Sequence, residues 1–476
     1  MCSICSRKGC KNLQNVDFIL KKFAFLYFFV NFAFQTSVVD CNDPLPKQIN
    51  SLSDHKMKTL TKLSLMLLTL TFCTSVSAAP IKLKKDRVVV DGITYTVNAK
   101  NETATVVKGQ EPYAGDVVIP KKVTVDEVTV YVEEIGSGAF SGCSGVTSIE
   151  IPETITKIGS AAFKGCSSLT SITLPKGVNE LANGLFEDCS ALTTIEFPVN
   201  INKMGTGVFK ACRSLVEISL PSSITTLPSE SFADCSSLQA VILPTALKAI
   251  QSNAFFQCTS LESIDIPTGV SNLGNGIFKS CTNLEAVIIP NSVTEISSKM
   301  FEDCSSLRLI NIPNSVRKIE RQAFHNCSNL DSIYISNSVQ DLGSGVFEGC
   351  SSMRKANIPN GIKDVPSDLF RNCSMLASIE LPASIKSIGS SSFEGCSSLK
   401  SITLPMSLKE IGGSAFDKCN SLLDVYSPSA TPPKMSGNSF SKVTQKEGIL
   451  HVKNGLTDNY YLDKQWKKFI NILKME

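Results

Sequence analysis

Apolar and polar positions follow one pattern through most of this chain, with a period of 23 residues and no insertion. In one copy of the unit, Cys166 is followed by apolar residues at Leu169, Ile172 and Leu174, and then by Pro175. Ile172 and Leu174 have the two-residue spacing of a strand with one buried face. Proline has no N–H for a β-ladder, so it ends the strand. The pattern therefore predicts one short strand in every unit.

The second half of the unit predicts a corner and a tight turn. Val178 and Leu181 continue the apolar pattern, and Phe186 lies three residues before the next cysteine, Cys189. That spacing is typical of one helical or 3₁₀ turn whose two side chains face inward. One unit has too little apolar surface to fold alone, so neighbouring units must stack and share a core. We predict an α+β repeat solenoid in which the strands form a parallel β-sheet.

Cysteine recurs at the same position in thirteen consecutive units, always three residues after a phenylalanine. An odd number at even spacing is unlike a disulfide framework, and zinc needs clustered ligands that this spacing does not supply. Buried free cysteine packs as a small hydrophobic residue. Scattered disulfides and metal or redox chemistry remain the alternatives to a structural ladder. The predicted ladder consists of Cys143, Cys166, Cys189, Cys212, Cys235, Cys258, Cys281, Cys304, Cys327, Cys350, Cys373, Cys396 and Cys419.

The unit C-S-S-L-x-S-I-x-L-P-x-x-I-x-x-I-G-x-x-A-F, matched best by residues 166–186 and 396–416, closely resembles the BspA-like leucine-rich repeat family of bacterial surface proteins. The end of the chain also resembles the ending of such proteins from Bacteroidetes-type bacteria. The resemblance implies a leucine-rich repeat array of 23-residue units and an exported protein. Some family members act as adhesins, so it also implies a protein ligand, such as a host matrix or microbial surface protein.

Residues 57–78 have the composition of a secretory signal peptide. Met57 is followed by Lys58 and Lys62, an apolar stretch and a small-residue site that predicts cleavage after Ala78. Residues 1–56 do not fit in front of a signal peptide, and we expect them to be an over-extended start that is not part of the native protein. The Phe-rich block over residues 23–34 leaves a signal anchor as an alternative. No later apolar run has membrane length, so we expect no membrane span in the mature chain.

The remaining chain divides into a repeat array with a cap at each end. We predict an N-terminal β cap over residues 79–135, a solenoid over 136–426, and a degenerate repeat with a C-terminal cap over 427–476. In the last of these, residues 448–455 predict a strand and residues 456–474 predict an amphipathic helix. The apolar side of that helix would consist of Tyr461, Trp466, Phe469, Ile470 and Leu473.

Charge and composition exclude several functions. Without residues 1–78 the 46 basic and 43 acidic residues become 37 and 39, so the mature chain lacks the basic excess of a nucleic-acid-binding protein. Only His325 and His451 follow the predicted signal peptide, and we interpret both as ordinary surface residues. We expect no enzyme, no catalytic residues, no cofactor and no metal. The acidic turn residues predict a solvated rim, represented by Glu187, Asp188, Glu302 and Asp303.

Residues at the fifth and seventh positions after each cysteine are predicted to point outward from the strand. Most are polar, but Ile242, Ile288, Leu309 and Tyr334 are apolar, and acidic Glu196, Asp265 and Glu380 flank them. Exposed apolar residues with a polar rim are typical of interaction sites. The alternative is that β-branched and aromatic residues simply suit strands. The predicted binding residues are Ile242, Asp265, Ile288, Leu309, Asn311 and Tyr334.

Together these features predict an exported, non-enzymatic leucine-rich repeat scaffold, secreted or at the cell surface, that binds proteins in the manner of an adhesin. A surface glycan-binding protein is the alternative. That function usually needs several exposed aromatic residues in line, whereas the lone tryptophan, Trp466, lies in the predicted cap.

Overall fold

The structure, a computed structural model, describes residues 87–475. The predictions for residues 1–56, for the signal peptide and for cleavage near Ala78 lie outside the described residues. Within residues 87–475, no helix has both the length and the apolar character needed to cross a membrane.

The N-terminal segment forms a sheet that starts the solenoid. β1 pairs antiparallel with β2, β2 with β3 and β5 with β6, while β3 runs parallel to β6. The bounds are β1 (Arg87–Val90), β2 (Ile93–Asn98), β3 (Thr103–Val106), β4 (Ala114–Val118), β5 (Lys122–Val125) and β6 (Val128–Ile135). β4 and β6 each pair in parallel with a strand of the first repeats. This segment therefore provides the first strand of two ladders that run along the array.

The main ladder contains the predicted strand in ten of the thirteen cysteine units, whereas the units of Cys327, Cys350 and Cys373 have at most an isolated bridge there, between Ser332 and Lys355. In the unit of Cys166, Ile172 is buried between exposed Ser171 and Thr173, and Ile172 pairs in parallel with Ile195 of the next unit. The predicted repeat solenoid is thus confirmed. The main strands are β7 (Gly145–Glu150), β9 (Ser171–Thr173), β11 (Thr194–Glu196), β13 (Glu217–Ser219), β15 (Ala240–Ile242), β17 (Ser263–Ile264), β19 (Ala286–Ile288), β21 (Leu309–Asn311), β26 (Ser401–Thr403) and β28 (Asp424–Ser427).

A second parallel ladder lies where the sequence predicted only a corner. It consists of two-residue strands in which the second residue faces the core, as in the pair Leu227 and Ile250. Its strands are β8 (Lys157–Ile158), β10 (Glu180–Leu181), β12 (Lys203–Met204), β14 (Thr226–Leu227), β16 (Ala249–Ile250), β18 (Asn272–Leu273), β20 (Glu295–Ile296), β22 (Lys318–Ile319), β23 (Asp341–Leu342), β24 (Asp364–Val365), β25 (Ser387–Ile388), β27 (Glu410–Ile411) and β29 (Lys434–Met435).

The tight turn between the second ladder and the cysteine forms the third side of each unit. In one turn, the N–H groups of Asn253, Phe255 and Gln257 donate to carbonyls of the next unit at 2.9 Å. Asn253 and Gln257 both have φ of 57°, in the left-handed region. That conformation costs an L-residue about 1–2 kcal/mol, and the hydrogen bonds between units offset it.

Phenylalanine rings fill the centre of the solenoid. From Phe140 to Phe440, rings of successive units stack with centroids 5.0–5.7 Å apart. Tyr113 covers the first ring at 4.9 Å, and Phe469 covers the last with an edge contact at 5.2 Å. Because a free end of the stack would expose apolar surface to water, these two residues close the core.

The C-terminal cap differs from the predicted single helix over residues 456–474. The segment forms a short helix, one 3₁₀ turn and a strand, and the buried side chains are Tyr460, Trp466, Phe469 and Ile472. Tyr461, Ile470 and Leu473, predicted to face the core, are exposed. The elements after β29 are α1 (Lys442–Glu447), β30 (Ile449–Val452), α2 (Thr457–Leu462), the 3₁₀ turn (Trp466–Lys468) and β31 (Asn471–Lys474).

The open edge of the main ladder explains this difference. β30 pairs in parallel with β28, and β31 pairs with β30. A helix over residues 471–474 would leave the N–H and C=O groups on the outer edge of β30 without partners, whereas a strand satisfies them. The predicted strand over residues 448–455 is confirmed by β30.

Candidate functional site

The repeat cysteines lie inside the solenoid, where each thiol contacts the unit before it. All thirteen are buried and free. From Cys166 onward, each Sγ donates to the carbonyl of the phenylalanine 26 residues earlier, as in Cys235 to Phe209 at 3.0 Å. The same carbonyl also accepts the N–H of Cys212, at 3.1 Å. The thiol is therefore both a small apolar group and a link between units.

Burial also removes these thiols from chemistry at neutral pH. Loss of hydration raises the pKa of Cys189, Cys235 and Cys281 to about 12. The thiolate is the nucleophile and metal ligand of cysteine, and it does not form near pH 7 in such surroundings. Within residues 87–475, no three His, Cys, Asp or Glu side chains are grouped so as to hold a metal ion.

The outward positions of the main ladder form a surface that we call the strand face. Four large apolar side chains are exposed there: Ile242 by 67%, Ile288 by 73%, Leu309 by 71% and Tyr334 by 71%. We call these four residues the strand-face patch. Contact of these apolar side chains with water is unfavourable in the isolated protein, and burial against a partner would remove that unfavourable hydration.

Register places most of the patch close together. Ile288 pairs with Asn311, and Ala286 pairs with Leu309, so Ile288 and Leu309 lie diagonally on neighbouring strands. Tyr334 follows Asn311 one unit further along the row. Ile242 lies two units before Ile288, with exposed Asp265 between them. At the usual spacing of about 4.8 Å between strands, Ile242 and Tyr334 are ~19 Å apart.

Charged side chains border the patch on the side nearer to the cysteines. Glu285 and Arg308 are exposed in the units of Ile288 and Leu309. In the next units, Asp331 and Arg354 form an exposed ion pair with Oδ1 and Nε 3.1 Å apart. The surface thus has an apolar centre and a rim of mixed charge, an arrangement common in protein interfaces.

A column of charged side chains lies on the other side of the solenoid, two residues before most of the cysteines; we call this side the turn face. Lys164 and Glu187 pair across units at 3.0 Å, and Lys279 and Lys299 each place Nζ 3.2 Å from Glu302 Oε2. The prediction of a solvated rim is wrong for Glu302, which is buried to 8% exposure. Two ammonium groups and the packing of adjacent turns surround its carboxylate.

The two histidines also contact carboxylates. His325 lies in the same column between Glu302 and Glu348, with N···O distances of 3.9 and 3.8 Å. His451 stacks on Tyr426 with ring centroids 4.3 Å apart, and its Nε2 lies 2.9 Å from Asp424 Oδ1. Both are more enclosed than the surface positions predicted. Each lies beside carboxylates of neighbouring units.

The strand face could be predicted from the sequence pattern, whereas the organisation of the turn face was not predicted. Alternation within one strand was enough to predict that Ile288 and Tyr334 point outward. The charged column becomes visible only when residues 23 apart are compared, because its members are neighbours in space and not along the chain. That comparison shows Lys210, Ala233, Phe256 and Lys279 in succession. The loss of charge at Ala233 and Phe256 was the available signal.

Comparison with known proteins finds leucine-rich repeat proteins both among family profiles and among solved structures. A profile of the BspA type Leucine rich repeat region matches residues 122–239, 205–331 and 317–447, in 6 copies. A leucine-rich repeat protein of solved structure from Bacteroides ovatus ATCC 8483 is 31% identical, with a TM-score of 0.71 over 82% of this chain and 100% of that one. A leucine rich cell surface protein from Faecalibacterium prausnitzii A2-165 is 28% identical, with a TM-score of 0.54 over 76% and 96%. No curated protein matches the chain.

Proposed function

The chain belongs to the BspA-type leucine-rich repeat family, and from that membership we propose that it is an exported, non-enzymatic scaffold that binds proteins at or outside the cell surface, in the manner of an adhesin. Family members are associated with cell surfaces, and the name of the Faecalibacterium protein includes that location. The predicted signal peptide supports export of this chain as well.

The strand-face patch is the observation that carries the proposal. Burying a large aliphatic or aromatic side chain that is otherwise exposed contributes about 1.5–3 kcal/mol. Interfaces concentrate their binding energy in a few central residues of this kind, surrounded by contacts that exclude water. Ile288, Leu309 and Tyr334 lie on neighbouring units and match that arrangement.

The chemistry of the patch favours a protein partner over a sugar. Ile242, Ile288 and Leu309 offer aliphatic surface without hydrogen-bonding groups, which suits apolar side chains of a partner. The exposed charges of Glu285 and Arg308 at the rim provide both signs, so a partner with a mixed polar surface fits around the apolar centre.

The proposal is tested by binding of the exported chain to an array of extracellular matrix and microbial surface proteins. Ile288→Glu combined with Tyr334→Ala should weaken binding to a captured protein at least about a hundredfold, because two central contacts are lost. A matched control combines Thr173→Glu with Thr403→Ala, at the same position of units outside the patch. If the first variant binds every captured protein as the wild type does, the strand-face patch is not the binding site.

Export has an independent test. Mass spectrometry of the protein secreted by its native host should find an N-terminus at Ala79, the residue after the predicted cleavage. A peptide from residues 1–56 in that protein would overturn the interpretation of this segment as an over-extended start.

A further inference from the structure

The charged column of the turn face is interrupted in two consecutive units. Ala233 and Phe256 occupy the position that holds Lys210 in the preceding unit and Lys279 in the following one. Where the charged side chains are missing, a cavity of about 460 Å³ opens between the turns. That volume is within the range of about 300–1,000 Å³ of small-molecule sites.

The cavity combines one aromatic ring with many polar groups. Phe256 is half-buried at its wall, and Asn253 and Asn275, whose side chains end in amides, also line it. Amides provide both donors and acceptors of hydrogen bonds. The remaining lining residues are Lys210, Glu230, Ala233, Asp234, Gly276, Lys279 and Lys299.

The charges around the cavity largely compensate one another. Lys210 Nζ lies 2.5 Å from Glu230 Oε2, so this pair is neutral. Lys279 and Lys299 share Glu302, which leaves one positive charge, and Asp234 supplies one negative charge. The site as a whole therefore favours a ligand without net charge over an anion such as phosphate or a sulfated chain.

We propose that this cavity binds a neutral saccharide unit. The C–H face of a sugar ring is apolar and stacks on an aromatic side chain, here Phe256, while its hydroxyls donate and accept hydrogen bonds. Asn253 and Asn275 offer both kinds of partner, and the lysines and carboxylates offer one kind each. This site lies on the turn face and is separate from the strand-face patch, so it goes beyond the proposed protein-binding function.

A protein side chain fits the same cavity less well. Protein anchors fill pockets that are mainly apolar and exclude water. Five of the ten residues that line the cavity around Phe256 are charged, and two more are asparagines. An apolar anchor would remove these groups from water without giving them new hydrogen bonds, which costs free energy.

The test is titration of the full chain with glucose, galactose, mannose and N-acetylglucosamine, followed by saturation-transfer NMR and calorimetry. We expect at least one of these sugars to bind, and Phe256→Glu to weaken its binding about tenfold or abolish it. This variant should fold, because the same position holds Glu187, Glu302 and Glu348 in other units. Asn253→Gly should also weaken binding. This variant should fold as well, because the next unit has Gly276 at that position, with φ of 60°.

Tyr334→Ala is the control that separates this site from the strand-face patch, because it should leave sugar binding unchanged. The proposal is overturned if none of the four sugars binds, or if Phe256→Glu binds the sugar as tightly as the wild type. Loss of sugar binding in Tyr334→Ala would also overturn the separation of the two sites. Displacement of the bound sugar by a soluble polysaccharide of the same sugar, or by a glycoprotein that carries it but not by the deglycosylated form, distinguishes a polysaccharide source from a protein-linked one.

Discussion

Cys281→Ala tests whether the repeat cysteine acts mainly as apolar volume. Its thiol is fully buried and donates to Phe255 O at 3.0 Å, a carbonyl that also accepts the N–H of Cys258 at 3.2 Å. Removing the sulfur loses transfer free energy comparable to one methylene, about 0.8 kcal/mol. The cavity adds roughly 0.5 kcal/mol and the weak S–H···O bond about 0.5 kcal/mol. We therefore expect a loss of about 2 kcal/mol.

Cys281→Ser separates the two contributions of the thiol. The serine hydroxyl keeps a donor for Phe255 O but removes the same apolar volume. Water hydrates a hydroxyl more favourably than a thiol in the unfolded chain, so burying it costs more free energy. Serine should therefore be at least as destabilising as alanine. The shift of the urea midpoint, followed by circular dichroism, measures both changes. Asn283→Ala, an exposed change in the same unit, should stay within about 0.5 kcal/mol. A serine variant as stable as the wild type, beside a destabilised alanine variant, would show that the hydrogen bond dominates and refute this reasoning.

Three further outcomes follow from the same structure. Burial raises the pKa of the Cys189 and Cys281 thiols to about 12, so the unfolded chain releases these protons first as pH rises. Stability should be complete below about pH 9 and fall by about 1.4 kcal/mol per pH unit per thiol toward pH 12; urea midpoints that stay constant over this range would contradict it. Ser280→Gly should stabilise the protein by up to about 1 kcal/mol in a urea titration, because Ser280 has φ of 61°; a loss of stability would show that its side chain makes a contact worth more than this strain. Glu302→Gln should lower the free energy of unfolding by about 1–2 kcal/mol, since Lys279 and Lys299 lose their shared carboxylate. If added salt abolishes the difference between the wild type and this variant, the ion pairs are screened like surface pairs and the expectation is wrong.

The main strand, present in most units, could be predicted because its signal lies within a few residues. Ile172 and Leu174 have period two, and a proline marks the end. The second ladder could not be predicted in this way. Each of its strands has two residues, as in Glu180–Leu181, and only one faces the core. A single buried residue has no periodicity, and it is the stacking of neighbouring units that gives these residues their hydrogen-bond partners.

The C-terminal cap shows how tertiary context overrides a local pattern. The apolar residues of the segment fit a helical period, but the structure buries Trp466 and Ile472 and exposes Ile470 and Leu473. The Trp466 indole N–H donates to the Pro433 carbonyl at 2.8 Å, which fixes the chain just before the last strand. After Trp466, the chain can pair as β31 with the free edge of β30. This pairing satisfies more backbone N–H and C=O groups than a short isolated helix would.

The two candidate sites also differ in how far they can be predicted from the sequence. The strand-face patch follows from alternation, so Ile288 and Tyr334 could be named from the sequence. The turn-face cavity depends on several units at once, because its lining residues, from Lys210 to Lys299, come together only after the solenoid has formed. No window shorter than three repeats contains both Lys210 and Lys279.

Energetics explains why function can vary between units while the solenoid does not. An inward phenylalanine lies between two ring neighbours, and its loss costs about 3–5 kcal/mol, a large part of the stability of an ordinary domain. An outward substitution usually changes stability by less than about 0.5 kcal/mol. The position of Phe256 accepts lysine, glutamate, alanine, histidine and arginine in other units because its backbone is held by the turn and its side chain is not part of the core. Binding sites can therefore arise on either the strand face or the turn face without change to the stacked rings and thiols that hold the units together.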